Sequence, residues 1–230
     1  MPLFFAFFLV FVFCAGVSAE TIEEAFKKAF PRVEFDAIKP TDIKGMYEVR
    51  KGPEIIYFVS DPGYLFVGDI ISKEGRNMTE ARKGEITAAN AKDLPLDKAI
   101  KVGSGKNTII EFTDPDCPYC RSASAFLEQR KDVTRYVFFF PLPMHPDAEN
   151  KIKYIFCAQD RATAYEDAMK GKFDDQKYEK CTKPGAEELL KLHKALGQKM
   201  GINGTPFFII NGKKVVVGAN TPEIEATLEK

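Results

Sequence analysis

Cys117 and Cys120, separated by Pro118 and Tyr119, are the residues of this 230-residue chain whose type and spacing point most directly to chemistry. The run Thr108-Ile109-Ile110-Glu111-Phe112 before them reads as a strand, and Arg121 to Glu128 after them reads as a helix. A C-x-x-C pair at such a junction puts the first sulfur over the helix N-terminus and the second one turn further on. Orphan backbone N–H groups and the positive end of the helix dipole favour a thiolate there. An accessible, partly ionised sulfur with a resolving sulfur beside it is the arrangement that thiol–disulfide exchange requires. Two plainer readings are weaker. Structural zinc needs a second closely spaced Cys or His pair, whereas Cys157, Cys181, His145 and His193 are scattered singly. An inert bridge between Cys117 and Cys120 would close too short a loop to stabilise much.

Residues 1–19 carry no charged side chain, hold an apolar core from Leu3 to Val12, and end in Val17-Ser18-Ala19. This is the pattern of a secretory signal peptide cleaved after Ala19. The alternative is an uncleaved anchor, for which the apolar stretch is short. Cys14 would leave with the leader, so four cysteines remain, an even number suited to two bridges in an exported chain. With Cys117 and Cys120 as the redox couple, Cys157 is left with Cys181. A structural bridge there would add about 3 kcal/mol in the chain-entropy model; the alternative is two buried free thiols. Lys plus Arg and Asp plus Glu both number 33, none of them in the leader. Such a balance argues against a nucleic-acid partner and gives no sign of a membrane-surface one.

The elements around the dithiol divide the rest of the chain into a first unit over 20–78, a linker over 79–95 and a second unit over 96–230. The first opens with an amphipathic helix ending before Pro31, followed by strands over 47–50, 54–59 and 64–71 with a turn at Asp61-Pro62-Gly63. So small a unit buries a thin core and gains from pairing with a copy of itself. Apolar Ile70 and Ile71 beside a strand edge suit a dimer contact, the alternative being packing on the rest of the chain. The linker, polar and weakened by Gly84, reads as helical or semi-flexible. In the second unit, strand 108–113 leads to helix 118–131 and strand 135–140. A helical stretch over 147–200 follows, then strand 206–210, an Asn211-Gly212 hairpin signal, strand 214–217 and a helix opened by Thr221-Pro222. The order β-α-β, helical insertion, β-β-α is the plan of a thioredoxin fold, and the whole chain is α+β. Glu111 is either a buried proton acceptor for Cys120 or an outward-facing strand residue. His145, in a Met-His-Pro loop far along the chain from the dithiol, reads as solvated.

Phe112-Thr113-Asp114-Pro115-Asp116 before the Cys-Pro-Tyr-Cys sequence, Gly201 to Pro206 before the hairpin, and Cys157 in the helical insertion with Cys181 downstream resemble the periplasmic protein-disulfide isomerases of the DsbC/DsbG family. The resemblance covers nearly the whole chain after the leader. It implies that Cys117 attacks and Cys120 resolves, that Thr205-Pro206 is the loop whose X-Pro bond is cis and whose backbone pairs with substrate, and that Pro118 and Tyr119 shape access. It further implies a periplasmic homodimer joined through the first unit, misoxidised exported proteins as substrates, and a membrane thiol reductant of the DsbD type as electron donor. Chaperone activity is expected beside isomerisation. No metal or organic cofactor is implied. Two other functions use the same features: a reductase that protects single cysteines from sulfenic-acid oxidation, and a redox-independent holdase chaperone.

Overall fold

The computed structural model describes residues 20–174 and 178–229, so the expected leader with Cys14 lies outside the described residues. Helix α1 (Ile22–Ala29) starts at a capping box, in which the Thr21 hydroxyl accepts from the Glu24 N–H and the Glu24 carboxylate accepts from the Thr21 N–H. It lays the fully buried Phe26 on a four-stranded antiparallel sheet of order β1 (Ala37–Pro40), β2 (Met46–Lys51), β3 (Glu54–Val59), β4 (Tyr64–Phe66). The Phe26 ring meets those of Phe30, Phe35 and Phe58 at centroid distances of 5.6, 5.3 and 5.3 Å.

Two expectations for this unit change. The sequence reading lacks β1, a four-residue strand ending in Pro40, which an edge position tolerates because one side needs no ladder donor. The strand expected over 64–71 stops at Phe66. Beyond it the Ile70 N–H donates to the Thr79 hydroxyl at 2.9 Å, and Ile71 makes only an isolated bridge to Asn77. Ile70 therefore turns inward against the Ile55, Tyr57 and Ile86 cluster while Ile71 stays exposed.

The stretch expected as a linker holds a well-formed helix, α2 (Met78–Asn90), capped by Asn77, whose Oδ1 accepts from the Glu80 N–H at 2.9 Å. Its buried side is made of Thr79, Ile86, Thr87 and Ala88, of which Ile86 alone is a large apolar residue, so little apolar stripe is left to read. Ile86 packs toward the first sheet and Ala88 toward the second.

The second sheet has the order β5-β7-β6-β8-β9, built from β5 (Ile100–Gly103), β6 (Asn107–Thr113), β7 (Val133–Phe139), β8 (Phe207–Ile210) and β9 (Lys214–Val217). Only β6 and β7 run parallel, joined by α3 (Pro118–Glu128). β5, too short to be anticipated, adds an antiparallel edge to β7. The stretch 147–200 resolves into α4 (Ala148–Cys157), α5 (Arg161–Met169) and α6 (Pro184–Lys199). The hairpin forms with Asn211 and Gly212 both at positive φ, 51° and 64°, in a three-residue connection that sets Ile210 opposite Lys214. The cap of α7 (Thr221–Leu228) falls one residue earlier than expected, on Asn220. Cys157, at the end of α4, is joined by a disulfide to Cys181 across 24 residues.

His193, on α6, extends the β5–β7 edge at the residues just before β5 begins. Its Nδ1 accepts from the Phe139 N–H at 3.0 Å and its Nε2 lies 3.0 Å from the Lys98 carbonyl, which fixes a neutral ring with the proton on Nε2. Burial lowers its pKa to about 4. A depressed histidine pKa means that the unfolded chain binds the extra proton first, so stability falls as pH drops from the ordinary value of about 6.5 through about 4. Chemical denaturation of His193→Leu should show a loss of about 2–4 kcal/mol at pH 7, because a buried donor and a buried acceptor lose their partners. The gap to the wild-type chain should narrow between pH 6.5 and 4.

Candidate active site

β6 is the central strand of the second sheet, with both faces covered, and it ends at Thr113. Asp114-Pro115-Asp116 then turns the chain so that Cys117 becomes the N-cap of α3, with Pro118 in the first helical turn, where its missing N–H costs nothing. Asp114 holds this turn. Its fully buried carboxylate accepts from the Asp116 N–H at 2.8 Å and the Leu142 N–H at 2.7 Å, and lies 2.7 Å from His145 Nδ1. His145 is thus a tether between the β7–α4 loop and the dithiol turn, which corrects the expectation of a solvated side chain. Chain distance concealed the contact, since the parallel β6–β7 pair brings the two loops together.

The Thr205-Pro206 loop closes the site from the other side. Its peptide bond is cis, and the Thr205 carbonyl accepts from Cys117 Sγ at 3.6 Å. Cys117 and Cys120 are both free thiols. Cys117 is only 3% exposed and Cys120 is fully buried, whereas Tyr119 stands 68% exposed beside them. The attacking-sulfur candidate is therefore less open than expected, because the Thr205 backbone packs directly over it.

Glu111 lies under the site, fully buried, and does not face outward. Arg135 donates to its Oε2 from Nε at 3.0 Å and Nη2 at 2.7 Å, and the Tyr165 hydroxyl donates to its Oε1 at 3.1 Å. Arg135 Nη2 also reaches the Tyr165 and Ser124 hydroxyl oxygens. The carboxylate is committed to this buried pair, and no hydrogen bond joins it to Cys120. Sequence pattern does not single out the roles of Asp114, Arg135 and Tyr165; of the three only Arg135, a charged residue inside an apolar strand, carried a signal.

Residues 14–80 match the model of the disulfide bond isomerase protein N-terminal domain, and residues 94–230 match that of a thioredoxin-like domain. A probable thiol:disulfide interchange protein DsbC of Bordetella avium is 30% identical over 207 residues, covering 88% of this chain and 72% of the relative. The chain belongs to the DsbC family of thiol:disulfide interchange proteins. The thiol:disulfide interchange protein DsbC of Escherichia coli K12 is 26% identical over 230 residues, with 94% of this chain and 92% of the relative covered. A solved disulfide interchange protein from Neisseria gonorrhoeae aligns with a TM-score of 0.51 at 35% identity, covering 59% of this chain and 96% of that one.

Membership of the DsbC family makes this protein a thiol–disulfide oxidoreductase, and the electrostatics of the dithiol suit that chemistry. The Cys117 thiol is lowered to about 6, first by the hydrogen bond from the Cys120 thiol and then by the backbone N–H groups of Cys120 and Tyr119. No hydrogen bond of ordinary geometry caps α3 from this sulfur, so the N–H groups act on it at longer range. Burial pushes the Cys120 thiol far up, and the hydrogen bond to Cys117 adds to the rise. Among the described residues no partner hydrogen-bonds the buried Thr113 Oγ1 or Thr205 Oγ1, two hydroxyls held next to the sulfur pair. Alkylation of the reduced protein should accordingly titrate at Cys117 with a midpoint near about 6, and Cys120 should stay unreactive through neutral pH. Arg135→Met should cost about 3–5 kcal/mol in urea denaturation by leaving the Glu111 carboxylate buried and unpaired.

Proposed function

We propose that this protein is an exported disulfide isomerase in which Cys117 attacks and Cys120 resolves. The observation that carries the reading is the pair of thiols at the α3 N-terminus, one favoured as thiolate and the other kept neutral, with the Thr205 carbonyl against the first. The Cys117 thiolate attacks one sulfur of a wrongly paired substrate disulfide; the other substrate sulfur leaves as a thiolate. A second substrate thiolate then attacks the substrate sulfur of the mixed disulfide, which forms a new pairing and returns Cys117 as a thiolate, with no net oxidation. Alternatively Cys120 loses its proton and attacks Cys117 Sγ, releasing reduced substrate and leaving a Cys117–Cys120 disulfide. A membrane dithiol reductant of the DsbD type would restore this with two electrons and two protons. The low thiol pKa helps both attack and departure. Pro118, Tyr119, Thr205 and Pro206 shape the approach, with the Thr205 backbone available to an extended substrate strand. The Cys157–Cys181 disulfide is structural.

In this reading residues 1–19 deliver the chain to the periplasm, 20–78 form a dimerisation unit, 79–95 a linker and 96–230 the catalytic unit. A dimer is supported by β4, an unpaired sheet edge followed by exposed Val67 and Ile71 and itself carrying exposed Tyr64 and Phe66. Two dithiols facing one cleft would hold a misfolded chain while it is reshuffled, which is where chaperone activity enters. The test is reactivation of scrambled-disulfide ribonuclease by the protein without residues 1–19, beside Cys117→Ala. Recovery that disappears in the variant is the expected result. Failure to reshuffle with the dithiol still reactive would reassign the protein as a protective reductase, and aggregation suppression unchanged in Cys117→Ala/Cys120→Ala without any reshuffling would make it a holdase.

A further inference from the structure

Four charged side chains meet beside the dithiol turn, and the proposed reaction uses none of them. Arg121 lies one turn into α3, its N–H donating to the Cys117 carbonyl at 3.1 Å. Its guanidinium donates from Nε to the Pro115 carbonyl at 2.6 Å, from Nη1 and Nη2 to both Asp174 oxygens at 2.6 and 2.8 Å, and from Nη2 to Asp116 Oδ1 at 3.3 Å. Lys151, on α4 and only 5% exposed at its side chain, donates to Asp116 Oδ1 and Asp174 Oδ1 at 2.5 Å each. Two cations thus face two carboxylates, and the group is neutral. Arg121 holds the Asp174 carboxyl down to about 2, with Lys151 adding to the effect, so Asp174 keeps its charge at any pH at which the protein works.

Asp174 is the member that comes from elsewhere. It sits after α5 in the segment closed by the Cys157–Cys181 disulfide, whereas Asp116 adjoins Cys117 directly. The segment is fastened by Phe173, whose ring meets Tyr154 at 4.9 Å and Tyr178 at 5.7 Å, and by the Tyr178 hydroxyl, which donates to Asp147 at 2.8 Å. Gly171 lets the pair form: at φ +75°, a Cβ there would stand 2.9 Å from Asp174 Oδ2 and 3.3 Å from Arg121 Nη1. The remaining ionisable groups around the turn are Asp114 with His145, Tyr119 and, beneath the site, the buried Glu111–Arg135 pair with Tyr165; the loop from Gly201 to Pro206 contributes none.

We propose that Asp174 is a positioning residue for the dithiol: from the disulfide-closed segment it neutralises and orients the Arg121–Lys151 cation pair beside Cys117, and so restrains how strongly that sulfur is ionised. The proposal rests on the reading of Cys117 as the attacking thiol. Without Asp174 the group carries one net positive charge beside the Pro115-Asp116 turn that leads into Cys117. A unit charge within about 10 Å of the sulfur, in a surround of intermediate dielectric, changes an ionisation constant by about two- to tenfold. The substrate-facing consequence is a more oxidising dithiol, because a better-stabilised thiolate favours the reduced pair. The Cys157–Cys181 bridge then does more than add stability, since it keeps the neutralising carboxylate in place.

The test is the pH dependence of thiolate absorbance and alkylation rate at Cys117, with the equilibrium against glutathione, in the wild-type chain, Asp174→Asn and Asp174→Asn/Arg121→Gln. Asp174→Asn should move the titration midpoint down by a few tenths of a unit to one unit, raise the thiolate fraction below the midpoint about two- to tenfold, and make the dithiol more oxidising. The double variant, neutral again, should return toward the wild-type midpoint. A single variant that melts earlier but titrates like the wild-type chain, or titrates higher, shows Asp174 to be only a scaffold and overturns the proposal. A wild-type Cys117 that titrates as an ordinary thiol overturns the reading of the dithiol itself, and the proposal with it.

Discussion

One sulfur must carry negative charge while another, three residues along the same helix, must not; the rest of this molecule is organised around that requirement. An N-cap side chain lies outside the first turn, where free N–H groups point at it and Pro118 removes none that is needed. A residue inside that turn lies against the sheet and loses water, which keeps its thiol protonated. The sequence separation that makes C-x-x-C so common in redox proteins is therefore a statement about helix geometry. It works only if the strand before it ends at the right residue and the turn between them is held still.

Charge burial supplies that stillness in two different ways. Beneath β6, Glu111 and Arg135 are both removed from water, and the pair is tolerable because Tyr165 and Ser124 occupy sites that would otherwise be empty. This fixes the register of β6, β7 and α5 against one another without offering a proton acceptor to the thiols. At the turn itself Asp114 is again fully buried, while Asp116, Arg121 and Asp174 keep part of their exposure. Asp114 gathers backbone donors and His145, while Asp116, Arg121, Lys151 and Asp174 join α3 to the helical insertion. The first arrangement is a rigid floor, and the second links the redox turn to a segment that a separate disulfide closes. The insertion, which interrupts the basic thioredoxin order between β7 and β8, has a physical part in the site.

Much of this was legible in the chain because it rests on local physics. A C-x-x-C pair between an apolar run and a helical run, Asn-Gly between two β-rich segments, the apolar spacing of the first helix and the alternation of strand and helix all act within a few residues, so periodicity and turn chemistry expose them. The elements that escaped were short or masked. β1 and β5 have four residues each, and α2 buries mainly small side chains whose stripe is faint. Composition and spacing thus determined the redox chemistry, the α+β plan and the two-unit order. Tertiary structure alone decided that His145 serves Asp114, that Glu111 is bound to Arg135 and Tyr165, that Cys117 is packed beneath the Thr205 backbone, and that Asp174 reaches Arg121 from 53 residues away. Those outcomes depend on which loops a parallel strand pair and a disulfide bring together in space, and a linear pattern carries no term for that.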